Sequence, residues 1–290
     1  MHRNTDLLLT AVAPAIWGST YLVTTEFLPA GYPLTLAMLR ALPAGLLLLL
    51  LVRRFPTGLW LAKVFVLGAL NFSIFWSLLF VAAYNLPGGV AATVGAIQPL
   101  IVIFLARAFL GTTIRPFAIL AAVAGMGGVA LLILTSQANL VPTGLLAGLA
   151  GAASMALGTV LSRHWQPPVS LLTFTAWQLT AGGILLLPVA FWLEPALPEL
   201  SQRNLFGLAY LGLIGAAFTY VLWFRGVARI EPSAVSLLGF LSPLTAVMLG
   251  WQMLGQTLTH WQIFGAAIIL ASVWLGQTTG KQPNQLKSKT

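Results

Sequence analysis

Apolar residues do not alternate along this chain, nor do they keep to one helical face. They run nearly unbroken for about 20 residues at a time, the length a helix needs to cross a bilayer. Short polar or Gly/Pro-rich stretches separate the runs. The pattern predicts ten spans at about 7–27, 34–52, 60–83, 88–109, 115–134, 143–162, 169–192, 204–224, 232–253 and 261–279. Barrel strands would be about ten residues long and alternating, so the expected fold is an all-α integral membrane protein. The connections leave no room for a soluble domain. The N-terminal stretch reads as a retained first span rather than a cleaved signal peptide, because its apolar run continues past the Ala13–Ala15 site.

Composition agrees. The 290 residues are 59% hydrophobic and 7% charged, with mean hydropathy +0.94. A soluble protein carries about 25% charge. No cysteine is present, which excludes disulfides, thiolate metal sites and cysteine nucleophiles. The net charge of +9 follows membrane topology rather than nucleic acid. With the N-terminus in the cytoplasm, Arg3, Arg53, Arg54, Lys63, Arg107, Arg115, Arg163, Arg225, Arg229, Lys281, Lys287 and Lys289 fall on or near the inside. Only Arg203 falls outside, and Arg40 lies within span two. Both termini are expected inside.

A shift of 144 residues superimposes GAIQPLIVIFL (95–105) on GFLSPLTAVML (239–249). It aligns Pro99 with Pro243, Leu110-Gly111 with Leu254-Gly255, Trp76 with Tyr220 and Phe80 with Phe224. Five spans per half is odd, so the second half must enter the membrane inverted. The loops swap charge accordingly: Arg107 and Arg115 align with Trp251 and Thr259, Arg225 and Arg229 with Val81 and Asn85. The expected organisation is a five-helix repeat over 1–139, an inverted one over 140–279, and a basic cytoplasmic tail over 280–290. Inverted repeats of this kind are typical of secondary transporters.

The AIWGSTYLV opening, Leu39-Arg40 in span two, the Pro-Leu pairs of spans four and nine and the Leu-Gly turns after them resemble the drug/metabolite transporter superfamily. The match is best to its EamA-type branch, and within it to the YddG-type exporters of aromatic and other amino acids. The resemblance covers about 7–279. It implies a 5+5 inverted-repeat fold, a central substrate cavity and export from the cytoplasm. The family often has Glu after each Leu-Gly turn, where this chain has Thr112 and Gln256.

Polar and aromatic groups inside the spans are the candidate transport residues. Trp76, Phe80 and Tyr84 are four apart and share a helix face; Tyr220 and Phe224 mirror Trp76 and Phe80 in the other repeat, and Trp223, like Tyr84, lies near a predicted span end. Such rings suit an amphipathic cargo, although packing and interfacial belts also use them. Trp17 and Tyr21 form another four-spaced pair. Asn71, Gln98, Gln178 and Ser242 could bind a carboxylate or ammonium, or could join helices. Arg40 is expected to lean to the outer side, meet Glu26 and serve structure. Its alternative role is as a carboxylate ligand. Pro99 and Pro243 should kink their helices at the carbonyls of Gly95 and Gly239, making these four residues candidate hinges. The small-residue run Ala121–Ala130 suits close packing of spans five and ten.

The acids Asp6, Glu26, Glu194, Glu199 and Glu231 all lie at predicted ends or loops. That predicts facilitated export rather than strict proton antiport. The partners expected are a small-molecule substrate and membrane lipid, with no nucleic acid, and a monomer or weak homodimer. No cofactor or metal is expected, since no nucleotide, nucleophile or metal motif appears. The main reading is an amino-acid exporter of the inner membrane. A proton-linked drug or metabolite exporter is the alternative within the fold, and a lipid-modifying membrane enzyme the alternative outside it.

Overall fold

A computed structural model describes residues 2–86, 88–133 and 141–279, and of residues 2, 21, 83, 84, 88–91, 278 and 279 the backbone only. Nine of its helical stretches are long and apolar enough to cross a membrane. A tenth helix, span ten, is His260–Thr279 (20 residues). Span one is His2–Phe27, span two Pro33–Val52, span five Pro116–Ile133, span six Pro142–His164 and span seven Leu171–Leu193. Span one starts five residues before its predicted start at residue 7. Span eight runs on to Arg229, so Arg225 and Arg229 stand on a helix rather than in a loop. The proposed 139/140 boundary, the 280–290 tail and the tail lysines lie outside the described residues.

Large apolar side chains face outward where lipid would meet them. Leu50, Phe191, Trp192 and Trp274 are examples, Trp192 being 85% exposed. Lipid solvates such surface, and water would not.

The two halves repeat each other in backbone detail. Spans four and nine are each broken rather than bent. Span four is Gly88–Gly95 then Gln98–Leu110; span nine is Pro232–Leu238 then Leu241–Leu254. Tight i→i+3 bonds close both breaks, Ile97 N to Val94 O at 3.3 Å and Phe240 N to Leu237 O at 3.2 Å. Pro99 and Pro243 therefore sit in the first turn of a new half-helix, where a missing N–H costs nothing. This corrects the expected kink: the chain stops and restarts at the prolines.

Both second half-helices end alike. Gly111 and Gly255 adopt the left-handed conformation, φ 66° and 65°. The following amide bonds back six residues, Thr112 N to Ala106 O at 3.4 Å and Gln256 N to Gly250 O at 3.2 Å. This is the glycine-dependent helix stop, used twice at the 144-residue offset.

Spans three and eight match in a way no propensity foretells. Span three is Leu59–Gly68, a π-helical turn Ala69–Ser73, then Ile74–Asn85. Span eight is Gln202–Ala209, a π-helical segment Tyr210–Phe218, then Thr219–Arg229. The two wide segments occupy corresponding positions, and such insertions gather at functional sites.

Packing cuts across the repeats. Span one lies against spans eight and nine, while its counterpart, span six, lies against spans three and four. Spans two and seven pair along their length, as do five and ten. Glycines set these approaches. A Cβ on Gly45 would strike Thr180, and one on Gly183 would strike Leu42, so the contact is reciprocal. Gly128 and Gly265 meet backbone to backbone between spans five and ten, as the small-residue run suggested. Gly18 of the AIWGSTYLV stretch lets span one touch the Ser242 region of span nine.

Candidate functional site: a central aromatic cavity

A cavity of about 280 Å3 lies between the two groups of spans. Its first wall is Trp17, Thr20, Thr24, Tyr220, Trp223 and Ser242, from spans one, eight and nine. Its second is Phe75, Trp76, Leu79, Phe80, Gln98 and Met155, from spans three, four and six. Arg40 of span two closes one side and is the one charged residue of the lining among the described residues. Ser236 and Gly239 adjoin a smaller space of about 160 Å3, where Gly95, Pro99 and Pro243 also surface. The two helix breaks thus face each other across the centre of the molecule.

The wall is held by a run of hydrogen bonds. Trp17 Nε1–H donates to Thr219 Oγ1 at 2.9 Å. Thr219 Oγ1–H donates to Gly215 O at 2.9 Å. Arg40 Nη2–H donates to the same carbonyl at 2.6 Å. Gly215 lies in the π-helical segment, whose altered bonding turns a backbone carbonyl toward side-chain donors. The Arg40 guanidinium also stacks over Trp76, 5.2 Å from the ring centre, a favourable cation–π geometry.

Rings close the cavity toward the end that carries the N-terminus. Trp17 lies 4.9 Å from Tyr220 and 5.2 Å from Trp223, centre to centre. Phe72 meets Tyr220 edge-on at 4.7 Å, bridging the two walls. From Tyr220 the contacts run to Phe224 (5.9 Å), Phe174 (5.6 Å) and Trp60 (6.3 Å). Offset and edge-on pairs at these distances are attractive. Trp60 in turn lines an open recess of about 1350 Å3 at that end, with Arg3, Lys63, Arg115, Arg163 and Arg229 on its walls. An aromatic column therefore separates a central cavity from a basic recess.

Charged contacts brace both ends. At the basic end, Asp6 takes Arg225 at 2.6 Å and Arg229 at 3.3 Å, tying span one to span eight. Arg115 pairs with Glu231 at 3.5 Å. Arg163 of span six donates to Val227 O and Ile230 O at 2.8 and 3.2 Å, across the two groups of spans. These are terminal carbonyls of span eight, which a cation suits. At the other end, Glu194 accepts from the Leu34 and Thr35 amides at 2.6 and 2.7 Å and caps span two.

Several expected site residues are placed differently. Asn71 and Gln178 are wholly buried and bond each other at 2.8 Å. They join spans three and seven, with Ser162 of span six 3.3 Å from Asn71, and do not line the cavity. Each amide is satisfied on one side only: Asn71 Nδ2 and Gln178 Oε1 are bonded, while Asn71 Oδ1 and Gln178 Nε2 have no partner among the described residues. Glu26 meets Arg203 at 3.5 Å instead of Arg40, and Arg40 turns into the cavity rather than outward. The side chains of Tyr21 and Tyr84 lie outside the described residues. Phe72, Phe75, Thr20, Met155 and Thr219 went unread in the sequence, because isolated Phe, Met or Thr residues in an apolar span carry no signal of direction.

The comparisons with known proteins agree with this architecture. The model of the EamA-like transporter family matches the chain twice, over residues 5–134 and 142–276. The chain is 47% identical over 268 residues to Protein PecM of Dickeya dadantii (strain 3937), covering 91% of this chain and 90% of that one. It is 30% identical over 275 residues to the inner membrane transporter YedA of Escherichia coli (strain K12), covering 92% and 88%. A crystal structure 20% identical in sequence superimposes with TM-score 0.82 over 96% of this chain and 99% of the other, a likeness of fold. With its repeated family match and its near-complete alignment to such relatives, this multi-pass membrane protein belongs to the EamA-like transporter family, within the drug/metabolite transporter superfamily.

Proposed function

We propose that this transporter exports amino acids, aromatic and other hydrophobic ones above all, from the cytoplasm across the inner membrane by alternating access. Both termini are cytoplasmic in this reading. The observation that carries it is the cavity itself: about 280 Å3, near the lower end of small-molecule sites, with indole and phenyl walls and few polar groups. Trp17, Trp76, Phe80 and Trp223 would flank an apolar side chain. Gln98, Ser242, Thr20 and Thr24 would meet the polar end.

The cavity extends toward Thr24 and Arg40, while the aromatic column stands between it and the basic recess. Export would alternate by parting that column and breaking the Arg163 bonds to span eight. The two repeats, 1–139 and 140–279, would supply the symmetry, and the helix breaks at Gly95–Pro99 and Gly239–Pro243 the pivots. Among the described residues the lining holds an arginine and no acid or histidine, which favours facilitated flux over a strict proton exchange.

Purified protein in liposomes tests the reading. Labelled phenylalanine, tryptophan and leucine should cross faster than in empty vesicles, with or without a pH gradient. Flux that vanishes without the gradient would overturn the facilitated mechanism. Flux of dyes but not of amino acids would favour a drug exporter.

A further inference from the structure

We infer that the basic recess is a binding site for a phosphate-bearing anion of two or more charges, with Lys63 and Arg163 as its principal ligands and Arg3 adding to them. The site lies beyond the aromatic column and is independent of what the central cavity carries.

Membrane topology asks only that cations stand on this end of the molecule. Arg53, Arg54 and Arg107 meet that demand from exposed positions outside the recess. Five others, Arg3, Lys63, Arg115, Arg163 and Arg229, are gathered on the walls of one concave space of about 1350 Å3. They come from spans one, three, six and eight and from the turn before span five. Like charges brought together repel unless something offsets them, and acids offset only part of this set. Arg115 pairs with Glu231 at 3.5 Å and Arg229 with Asp6 at 3.3 Å. Glu231 is the one acid of the lining among the described residues, and its charge reaches Arg163 as well.

The other three cations lean on neutral groups. Lys63 Nζ stands over two indoles, 4.9 Å from the centre of Trp60 and 5.5 Å from that of Trp165. Arg163 donates to Val227 O and Ile230 O at 2.8 and 3.2 Å. Arg3 donates to Gln277 O at 2.5 Å. Rings and carbonyls fix the direction of a cation and leave its charge in place. Against Glu231 and Asp6, the five cations keep an excess of at least three positive charges. Arg3, Lys63 and Arg163 are half-buried, where charge acts more strongly than in open water.

An excess of this size suits a multivalent anion. Phosphate oxygens match the guanidinium fork of Arg163, and Lys63 meets them as a point charge. A single carboxylate would leave most of the excess unanswered. Basic pockets between spans at a membrane face take phospholipid headgroups in the same manner, so a headgroup and a soluble polyphosphate offer one chemistry here.

The test uses full-length protein purified in neutral detergent at pH 7 and low salt. It is titrated calorimetrically with pyrophosphate, and its melting is followed in mixed micelles holding cardiolipin or phosphatidylcholine. Pyrophosphate binding identifies a soluble ligand, and a higher melting temperature with cardiolipin alone identifies a headgroup; either supports the site. Lys63→Gln and Arg163→Gln should each weaken pyrophosphate binding about tenfold, the scale of one charge-assisted hydrogen bond, or abolish the cardiolipin shift. Arg107→Gln, on the same end but outside the recess, should behave as the wild type. Melting without ligand reports each variant's folding, and Arg3→Gln replaces any variant that fails to fold. Neither pyrophosphate binding nor stabilisation by cardiolipin in the wild-type protein overturns the proposal. A folded Lys63→Gln that binds like the wild type also overturns it. So does an equal loss in Arg107→Gln, which would mean diffuse attraction to the whole charged face.

Discussion

Arg40 and Gly215 meet at 2.6 Å, a guanidinium of span two on a backbone carbonyl of span eight. The carbonyl also accepts from Thr219, whose oxygen accepts from Trp17. One carbonyl in a π-helical segment thus sets the position of a cavity charge and of a cavity ring. These groups act as a unit, so effects of removing them should not add.

Thr219→Val is expected to free the Trp17 ring and leave its N–H without an acceptor. A lost hydrogen bond to a buried donor costs about 1–3 kcal/mol. Flux in liposomes should fall several-fold, and Trp17→Phe should fall similarly. The double variant should be little worse than either single one. Full additivity of the two losses would mean that Trp17 and Thr219 act separately.

The reciprocal contact of Gly45 with Thr180 and Gly183 with Leu42 leaves no room for a side chain. Gly45→Val and Gly183→Val should each destabilise the protein by about 1–3 kcal/mol through overpacking. Melting of the purified protein would show it as a lower transition temperature. Gly127→Ala, where nothing beyond its own stretch of helix stands within 4 Å of the added carbon, should melt like the wild type.

Asp6 holds Arg225 and Arg229 together at the basic end. Asp6→Asn leaves both cations without their carboxylate. A fully buried pair broken this way costs about 3–5 kcal/mol. Here Arg229 is half exposed, so a loss of about 1–2 kcal/mol is expected. Chemical denaturation of the purified variant would measure it. Recovery on adding Arg225→Gln and Arg229→Gln would identify the ion pair as the cause.

Pro99→Ala with Pro243→Ala restores two backbone donors at the helix breaks. Alanine favours a continuous helix by about 3 kcal/mol over proline at an interior position, although these prolines stand in a first turn. The double variant should fold and transport several-fold more slowly if the breaks pivot. Wild-type flux from a folded double variant would show the breaks to be static.

The ten spans were legible because lipid demands long apolar runs whatever their neighbours are. The 144-residue repeat was legible in its prolines and Leu-Gly stops, and the structure uses those same residues for half-helix starts and left-handed caps. Even so, proline in the sequence suggested a kink, whereas a first-turn position turned it into a restart. Distance in sequence could not tell the two apart.

The site was legible only in part. Trp17, Trp76, Phe80, Gln98, Tyr220, Trp223 and Ser242 all line the cavity, as their size or polarity suggested. Asn71 and Gln178 had the same polarity and do something else. Whether an amide faces a cavity or another amide depends on which helix packs opposite, and a span that is apolar all round shows no preferred face.

By itself the sequence determined what the membrane selects locally: the number of spans, their approximate ends, the inverted repeat and the glycines and prolines that stop and restart helices. Only the tertiary structure decided that span one joins spans eight and nine while span six joins three and four. It also decided the π-helical segments, the turning of Arg40 from Glu26 to Gly215, and the capping of span two by Glu194. The reason is physical. Insertion depends on each segment's own transfer from water to lipid, whereas between spans every surface is equally apolar. There, close packing at glycines and a few polar bonds choose the partners.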